Sequence, residues 1–239
     1  MKKMKLEELY TSGEYLEKWP SWHSEESPWR ADKILRMMER NHLTSKTICE
    51  VGCGAGEILK QLQAHLNDES TFWGYEISPQ AFKLCQSRKN ERLHFKLADF
   101  TQEEEGFFDL ILIIDVIEHV EDYFSFLRAI KPKSSYKIFH IPLDMVAKTI
   151  MQGRIIKLLE DHGHVHYFTK DIALQLLKNV GYEVLDYFYT APSVDLPSNG
   201  IQEEIRRKLM KLPRKLLFAI DNDIAARVLG GYSLMVLAQ

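Results

Sequence analysis

The stretch from Thr47 to Leu59, TICEVGCGAGEIL, limits what this chain can fold into more than any other. Thr47 to Val51 is a short, mostly apolar run with β-branched residues, the pattern of a strand buried on both faces. Gly52, Gly54 and Gly56 follow at alternate positions, and Ile58, Leu59, Leu62 and Leu66 then recur at helical spacing. Strand, glycine turn and helix form the opening βα unit of a nucleotide-binding sheet, where missing side chains let the backbone approach a ligand.

The residues between and after the glycines select the ligand. A G-x-G-x-x-G fingerprint starting at Gly52 needs glycine at position 57, where this chain has Glu57. A carboxylate in the first helical turn repels a pyrophosphate docked on the helix N-terminus. Glu50, at the end of the strand, adds negative charge. A ligand without phosphate and with some positive charge is indicated, and S-adenosylmethionine fits that description. The segment Glu50-Val51-Gly52-Cys53-Gly54-Ala55-Gly56 resembles motif I, E/D-x-G-x-G-x-G, of the class I S-adenosylmethionine-dependent methyltransferases. The resemblance covers most of residues 21–191 and the last ten. The expected fold is α/β, a doubly wound, mostly parallel, seven-stranded Rossmann-like sheet with helices on both faces and an antiparallel last strand.

Composition narrows the setting. Over 239 residues a net charge of −3 opposes general nucleic-acid binding, which wants a basic balance. The longest apolar run, Leu110 to Ile114, is far short of the roughly 18 residues of a membrane span. The lysines of MKKMKLEELY have no apolar stretch behind them, so no signal peptide is expected there. Cys49, Cys53 and Cys85 show no metal or disulfide spacing, which suits a reducing compartment, and a cytoplasmic protein is expected. Nothing reads as a linker, so one domain is expected over 1–239. It carries an N-terminal arm and first helix (1–40), a flap (143–166) and a helical insertion (192–230).

The arm is rich in aromatics: Tyr10, Tyr15, Trp19, Trp22, His23 and Trp29. Trp22 and His23 are the candidates for a lid over cofactor and acceptor, while Tyr10 and Trp29 read as packing and Arg30 as a surface residue. Ser27-Pro28 reads as an N-cap and first position of a helix running to about Arg40.

Beyond motif I, Thr71 to Ile77 reads as the second strand. Glu76 ends it about 20 residues past the glycine turn, where an acid accepts hydrogen bonds from ribose hydroxyls. Leu93 to Ala98 is the third strand. There the resemblance implies that Asp99 accepts from the adenine amino group and that Phe100 covers the ring, against a bland reading of Asp99 as a loop cap. Residues 107–127, FFDLILIIDVIEHVEDYFSFL, hold a buried-strand run followed by Asp115-Val116-Ile117-Glu118-His119-Val120, at the carboxyl end where open parallel sheets bind ligands. This resembles motif IV, D/E-V-x-E-H-V/L, of the ubiquinone-biosynthesis and related small-molecule methyltransferases. It lacks the N/D-P-P-Y/F signature and the Pro-Cys pair of enzymes that act on nucleobases, so no nucleic acid is expected as partner. The cofactor-binding set expected is Glu50, Gly52, Cys53, Gly54, Gly56, Glu76, Ile77, Asp99, Phe100, Asp115 and Val116.

His119 is a candidate base for an acceptor hydroxyl, or else a hydrogen-bonded tie between loop and helix. Asp115, Glu118 and His119 together suit a divalent metal poorly to fairly, as in some relatives with this E-H pattern, so the metal is left open. His162, His164 and His166 alternate, which invites a strand-borne metal reading. The following Tyr167-Phe168-Thr169 instead resembles the family segment H-x-x-F/Y-F-S/T. It implies His164 as the second catalytic or acceptor-positioning residue and leaves His162 and His166 solvent-facing or structural.

Pro192 to Gly230 lengthens the family pattern. Six basic residues (Arg206, Arg207, Lys208, Lys211, Arg214, Lys215) alternate with apolar ones, so residues 201–217 read either as a helix with a solvated face or as a peripheral membrane contact. Pro213 is expected to interrupt or kink it. The expected reaction is methylation of a nucleophilic oxygen, less so nitrogen, on a small or lipid-linked acceptor. A cofactor-binding regulator without catalysis and a nicotinamide oxidoreductase are the alternatives.

Overall fold

The computed structural model describes Tyr10 and residues 12–104, 106–197 and 201–239, so most of the MKKMKLEELY segment and the side chain of Arg206 lie outside it. Seven strands form one sheet in the order β3-β2-β1-β4-β5-β7-β6. They are β1 (Thr47–Val51), β2 (Thr71–Glu76), β3 (Leu93–Leu97), β4 (Phe108–Ile114), β5 (Ser134–Pro142), β6 (Val184–Thr190) and β7 (Ser233–Ala238). The first five pair in parallel, and β7 runs antiparallel to both β5 and β6. The reversal of strand order beside β1 opens a crevice at the carboxyl ends of β1 and β4, the place where such sheets take ligands.

Period-two alternation sorts the central strands onto two cores. Ile48, Leu110, Leu112, Ile138 and Met235 face one side with Ile34, Met37, Leu59 and Leu62. Cys49, Val51, Ile111, Ile113, Phe139 and Val236 face the other with Leu127, Ile130, Ala173 and Leu177. The first core is closed by α2 (Ser27–Arg40) and α3 (Glu57–His65), the second by α5 (Tyr123–Ile130) and α8 (Lys170–Asn179). Among the shorter helices, α1 (Glu14–Lys18) lies in the arm and α4 (Pro79–Cys85) follows β2. Ser78 caps α4 by accepting from the Ala81 N–H, as the Ser-Pro pair suggests. The other Ser-Pro pair differs: α2 starts at Ser27 itself, behind a short 3₁₀ turn, and Ser27 makes no side-chain cap.

The flap contains α6 (Ala147–Met151) and α7 (Ile155–His162). Several of its apolar residues face outward, among them Ile150, Met151, Ile156 and Leu159, while Leu143 and Val146 are buried. The insertion holds α9 (Pro192–Asp195), α10 (Ile201–Ile220) and α11 (Asn222–Leu229). Pro213 lies inside α10 without interrupting it. It sits on an exposed turn, where water can bond the carbonyl that the missing N–H leaves over. Among the described residues no helix is long and apolar enough to cross a membrane.

Candidate active site

A cavity of about 1180 Å³ lies over the carboxyl ends of β1, β2, β4 and β5. That exceeds the ~300–1,000 Å³ usual for one small-molecule site, which leaves room for two ligands. At one end the turn after β1 runs through Gly52, Gly54 and Gly56, all in the left-handed region. Gly54, at φ +53°, passes so close beneath Trp22 that a Cβ there would come within 2.6 Å of the indole. The Gly54 N–H donates to Glu76 Oε2 at 2.7 Å, while Ile77 and Ser78 N–H groups donate to Oε1. Burial pushes the Glu76 carboxyl up, and these backbone donors work against it. Glu50 is 2 % exposed and its Oε2 has no partner among the described residues. Burial, and then the neighbouring Glu76, push its carboxyl well up. A buried carboxyl with one unpartnered oxygen in the cavity wall fits a cationic ligand and opposes a phosphate.

The turn after β4 divides the cavity. Asp115 is in the left-handed region at φ +54°, and its carboxylate accepts from Arg30 Nε at 2.8 Å and from His140 Nδ1 at 2.5 Å. Burial alone would raise this acid, but His140 and Arg30 outweigh it and hold it well below the usual carboxylate range. Val116 packs against Gly52, where a Cβ would meet it at 2.9 Å. Glu118 is fully buried, with neither oxygen hydrogen-bonded among the described residues, and burial pushes its carboxyl well up.

Beyond this turn lies a compartment of imidazoles and aromatic rings. His119 Nδ1 lies 2.8 Å from the Tyr10 hydroxyl and 3.2 Å from the Gly163 carbonyl. Burial and the adjacent His164 pull the His119 imidazole down to about 3, so it is neutral near pH 7. His164 Nδ1 donates to Asp144 Oδ2 at 2.8 Å. That bond leaves the His164 Nε2 lone pair free to meet a ligand. Trp19 stacks on His162 and packs against His23, and Tyr15 joins Tyr10 to Trp22. The arm therefore roofs both compartments.

A model of the methyltransferase domain family matches residues 21–187. The chain belongs to the class I S-adenosylmethionine-dependent methyltransferases. A curated relative, the mitochondrial ubiquinone biosynthesis O-methyltransferase of Schizosaccharomyces pombe, is 27 % identical over 158 residues, 59 % of this chain and 55 % of the relative. The chain thus spans about half the length of that relative. Magnesium protoporphyrin IX methyltransferase from Synechocystis PCC 6803, solved with S-adenosylhomocysteine, superposes with a TM-score of 0.57 at 14 % identity, covering 88 % of this chain and 81 % of that one. A chain of the Haloferax volcanii complex between the Trm112 methyltransferase activator and a methyltransferase gives 0.65 at 12 % identity, covering 95 % and 94 %. At these identities the likeness is one of fold.

Most of the residues expected to bind the methyltransferase's cofactor line this one cavity: Glu50, Gly52, Cys53, Gly54, Glu76, Ile77, Asp99, Phe100, Asp115 and Val116. Gly56 stands behind the turn, packed against Phe95 and Cys85. Asp99 caps the short turn that follows it by accepting from the Thr101 N–H. Phe100 is 1 % exposed and packs edge-on against Tyr75, so most of its ring is spent on the core rather than on a ligand. Trp22, His23, His119 and His164 all line the cavity.

Several sequence readings change. Tyr10 is not simple packing, since its hydroxyl reaches His119, and Trp29 also lines the cavity. Arg30 is no surface residue, being clamped between Glu26 and Asp115. His162 lines the cavity, whereas His166 bonds the Val120 and Glu121 carbonyls. The three histidines share no strand, because Gly163 closes α7 between the first two. Asp115 is spent on Arg30 and His140. Among the described residues, Glu118, His119 and His164 bring ligand atoms within 4.8 Å of one another, a group that could hold a metal ion. His140 and Asp144 went unremarked. The only signal was a polar residue within the apolar run of β5, and an acid just past its terminal Pro142.

Proposed function

We propose that this methyltransferase transfers the methyl group of S-adenosylmethionine to a hydroxyl oxygen of a small or lipid-linked molecule. The observation that carries the reading is the orphaned Glu50 carboxylate beside the glycine turn, in the same cavity as an Asp144-oriented His164. When bound, S-adenosylmethionine supplies a methyl carbon on a sulfonium, an electrophile that needs little activation. Glu50 faces the cationic part of that molecule, Glu76 takes its ribose hydroxyls on the lone pairs the backbone leaves free, and Asp99 with Ile77 meets the adenine.

The chain's remaining work is positioning and proton removal. The acceptor lies in the compartment of Tyr10, His119, His162 and His164, with its hydroxyl against His164 Nε2. His164 takes the proton, and Asp144, fixed on Nδ1, stabilises the imidazolium that results. His119 is too weakly basic to share that task, and it serves as a neutral hydrogen-bonding partner of the acceptor. Oxygen as the nucleophile agrees with the curated O-methyltransferase relative. The arm, flap and insertion act as acceptor-side elements of one domain.

The test is S-adenosylhomocysteine release across a panel of hydroxylated acceptors. His164→Gln should lower turnover about 10²–10⁴-fold, with S-adenosylhomocysteine affinity unchanged, and Asp144→Asn should cost less. Cofactor binding without release from any acceptor would instead favour a non-catalytic regulator.

A further inference from the structure

The outer side of α10 carries a feature that methyl transfer does not use. Ile205, Leu209, Leu212, Leu216 and Ile220 recur at spacings of three and four, so they form one line along the helix. All five are more than half exposed, up to 72 % for Leu209 and 82 % for Ile220. At ~1.5 Å per residue the line is about 22 Å long, and monomeric proteins rarely leave an apolar patch of that extent uncovered. The helix does not float, because its opposite side is anchored. Phe218 stacks on Tyr232, and the Tyr232 hydroxyl donates to the Arg214 carbonyl in a buried bond. Lys208, Lys211 and Lys215 run along one flank of the line and are exposed.

We propose that α10 docks this methyltransferase on an anionic lipid bilayer, lying in the interface with the leucine line in the acyl boundary and the lysines among the headgroups. The choice of occupant rests on charge. The chain is net acidic, yet three exposed lysines (Lys208, Lys211, Lys215) flank the apolar line, while Arg214 is buried and Arg207 bonds the Leu196 and Pro197 carbonyls. That concentration beside an apolar line is the signature of an in-plane interfacial helix. A second copy docked on the same face would bring the two lysine rows together, which disfavours self-association. The surface also reaches the acceptor end of the site. α11 packs on both α10 and α6, and α6 leads into α7, whose Leu158 and His162 line the cavity. Ile150 and Met151 of α6 are also exposed. This inference is independent of the methyl-transfer reading.

Vesicle flotation of the full chain tests it, using phosphatidylcholine vesicles with and without phosphatidylglycerol. Binding should appear on the anionic vesicles and weaken as salt is raised. Leu209→Asp combined with Leu216→Asp should abolish it, and Lys211→Ala combined with Lys215→Ala should weaken it about tenfold or more. Both double variants should keep the wild-type melting profile and S-adenosylhomocysteine affinity, which separates a failure here from a failure of the cofactor site. Absence of binding to anionic vesicles overturns the proposal. So does binding that neither double variant changes, or a concentration-dependent dimer that Leu209→Asp dissolves.

Discussion

In the proposed cofactor site Glu50 and Gly54 act through opposite means, one by a buried carboxyl with an unpartnered oxygen and the other by an absent side chain. S-adenosylmethionine carries a positive sulfur and S-adenosylhomocysteine a neutral one, so Glu50→Gln should weaken the first about tenfold and the second much less, as read by calorimetry. Gly54→Ala places a methyl against the Trp22 indole at a left-handed φ. Affinity for both molecules should fall, with a stability loss of about 1 kcal/mol.

Lys137 offers a residue-scale check away from the site. It is 2 % exposed, and burial, then Lys131, pulls its ammonium down to about 8 from an ordinary 10.5. Between these two pH values the unfolded chain binds more protons than the folded one, so stability should rise with pH across the window. Chemical denaturation should register a gain of about 1–3 kcal/mol. Lys137→Met should lack that rise. At this scale the sequence revealed the glycines and Glu76, whose meaning depends on local spacing. It hid the roles of Arg30, His140 and Tyr10, because their partners Asp115 and His119 lie 85, 25 and 109 positions away.

At the scale of elements, strands were legible where apolar runs are bounded by turn chemistry, as in β1 and β4, and Thr169 was legible as a helix cap. It accepts from the Ile172 N–H at the start of α8. Thr169→Ala should cost about 1 kcal/mol and lower the melting temperature by roughly 2–4 °C, with no change in cofactor affinity. The flap and insertion were less legible because periodicity reports that a helix has an apolar side and not which way that side points. In α6 and α7 much of the apolar surface faces solvent, while α10 uses different residues of the same helix to pack inward on Tyr232 and to present its leucine line outward. Pro213 does not end the helix for a related reason, since its cost depends on whether water reaches the freed carbonyl.

Over the whole molecule, sheet order is what brings distant residues to one cavity. β1 and β4 lie side by side in the sheet, so motif I and the Asp115–His119 turn face each other across the crevice, and the arm returns to cover both. On the proposed function, a phosphate-free, cationic methyl donor sits at the β1 end and the acceptor among the imidazoles. Titration calorimetry of the folded protein with S-adenosylmethionine, S-adenosylhomocysteine and NADH measures this most directly. One-to-one binding of the first two with no detectable binding of NADH is the predicted result. A folded protein with no affinity for either adenosyl compound, or one that binds NADH alone, would contradict it.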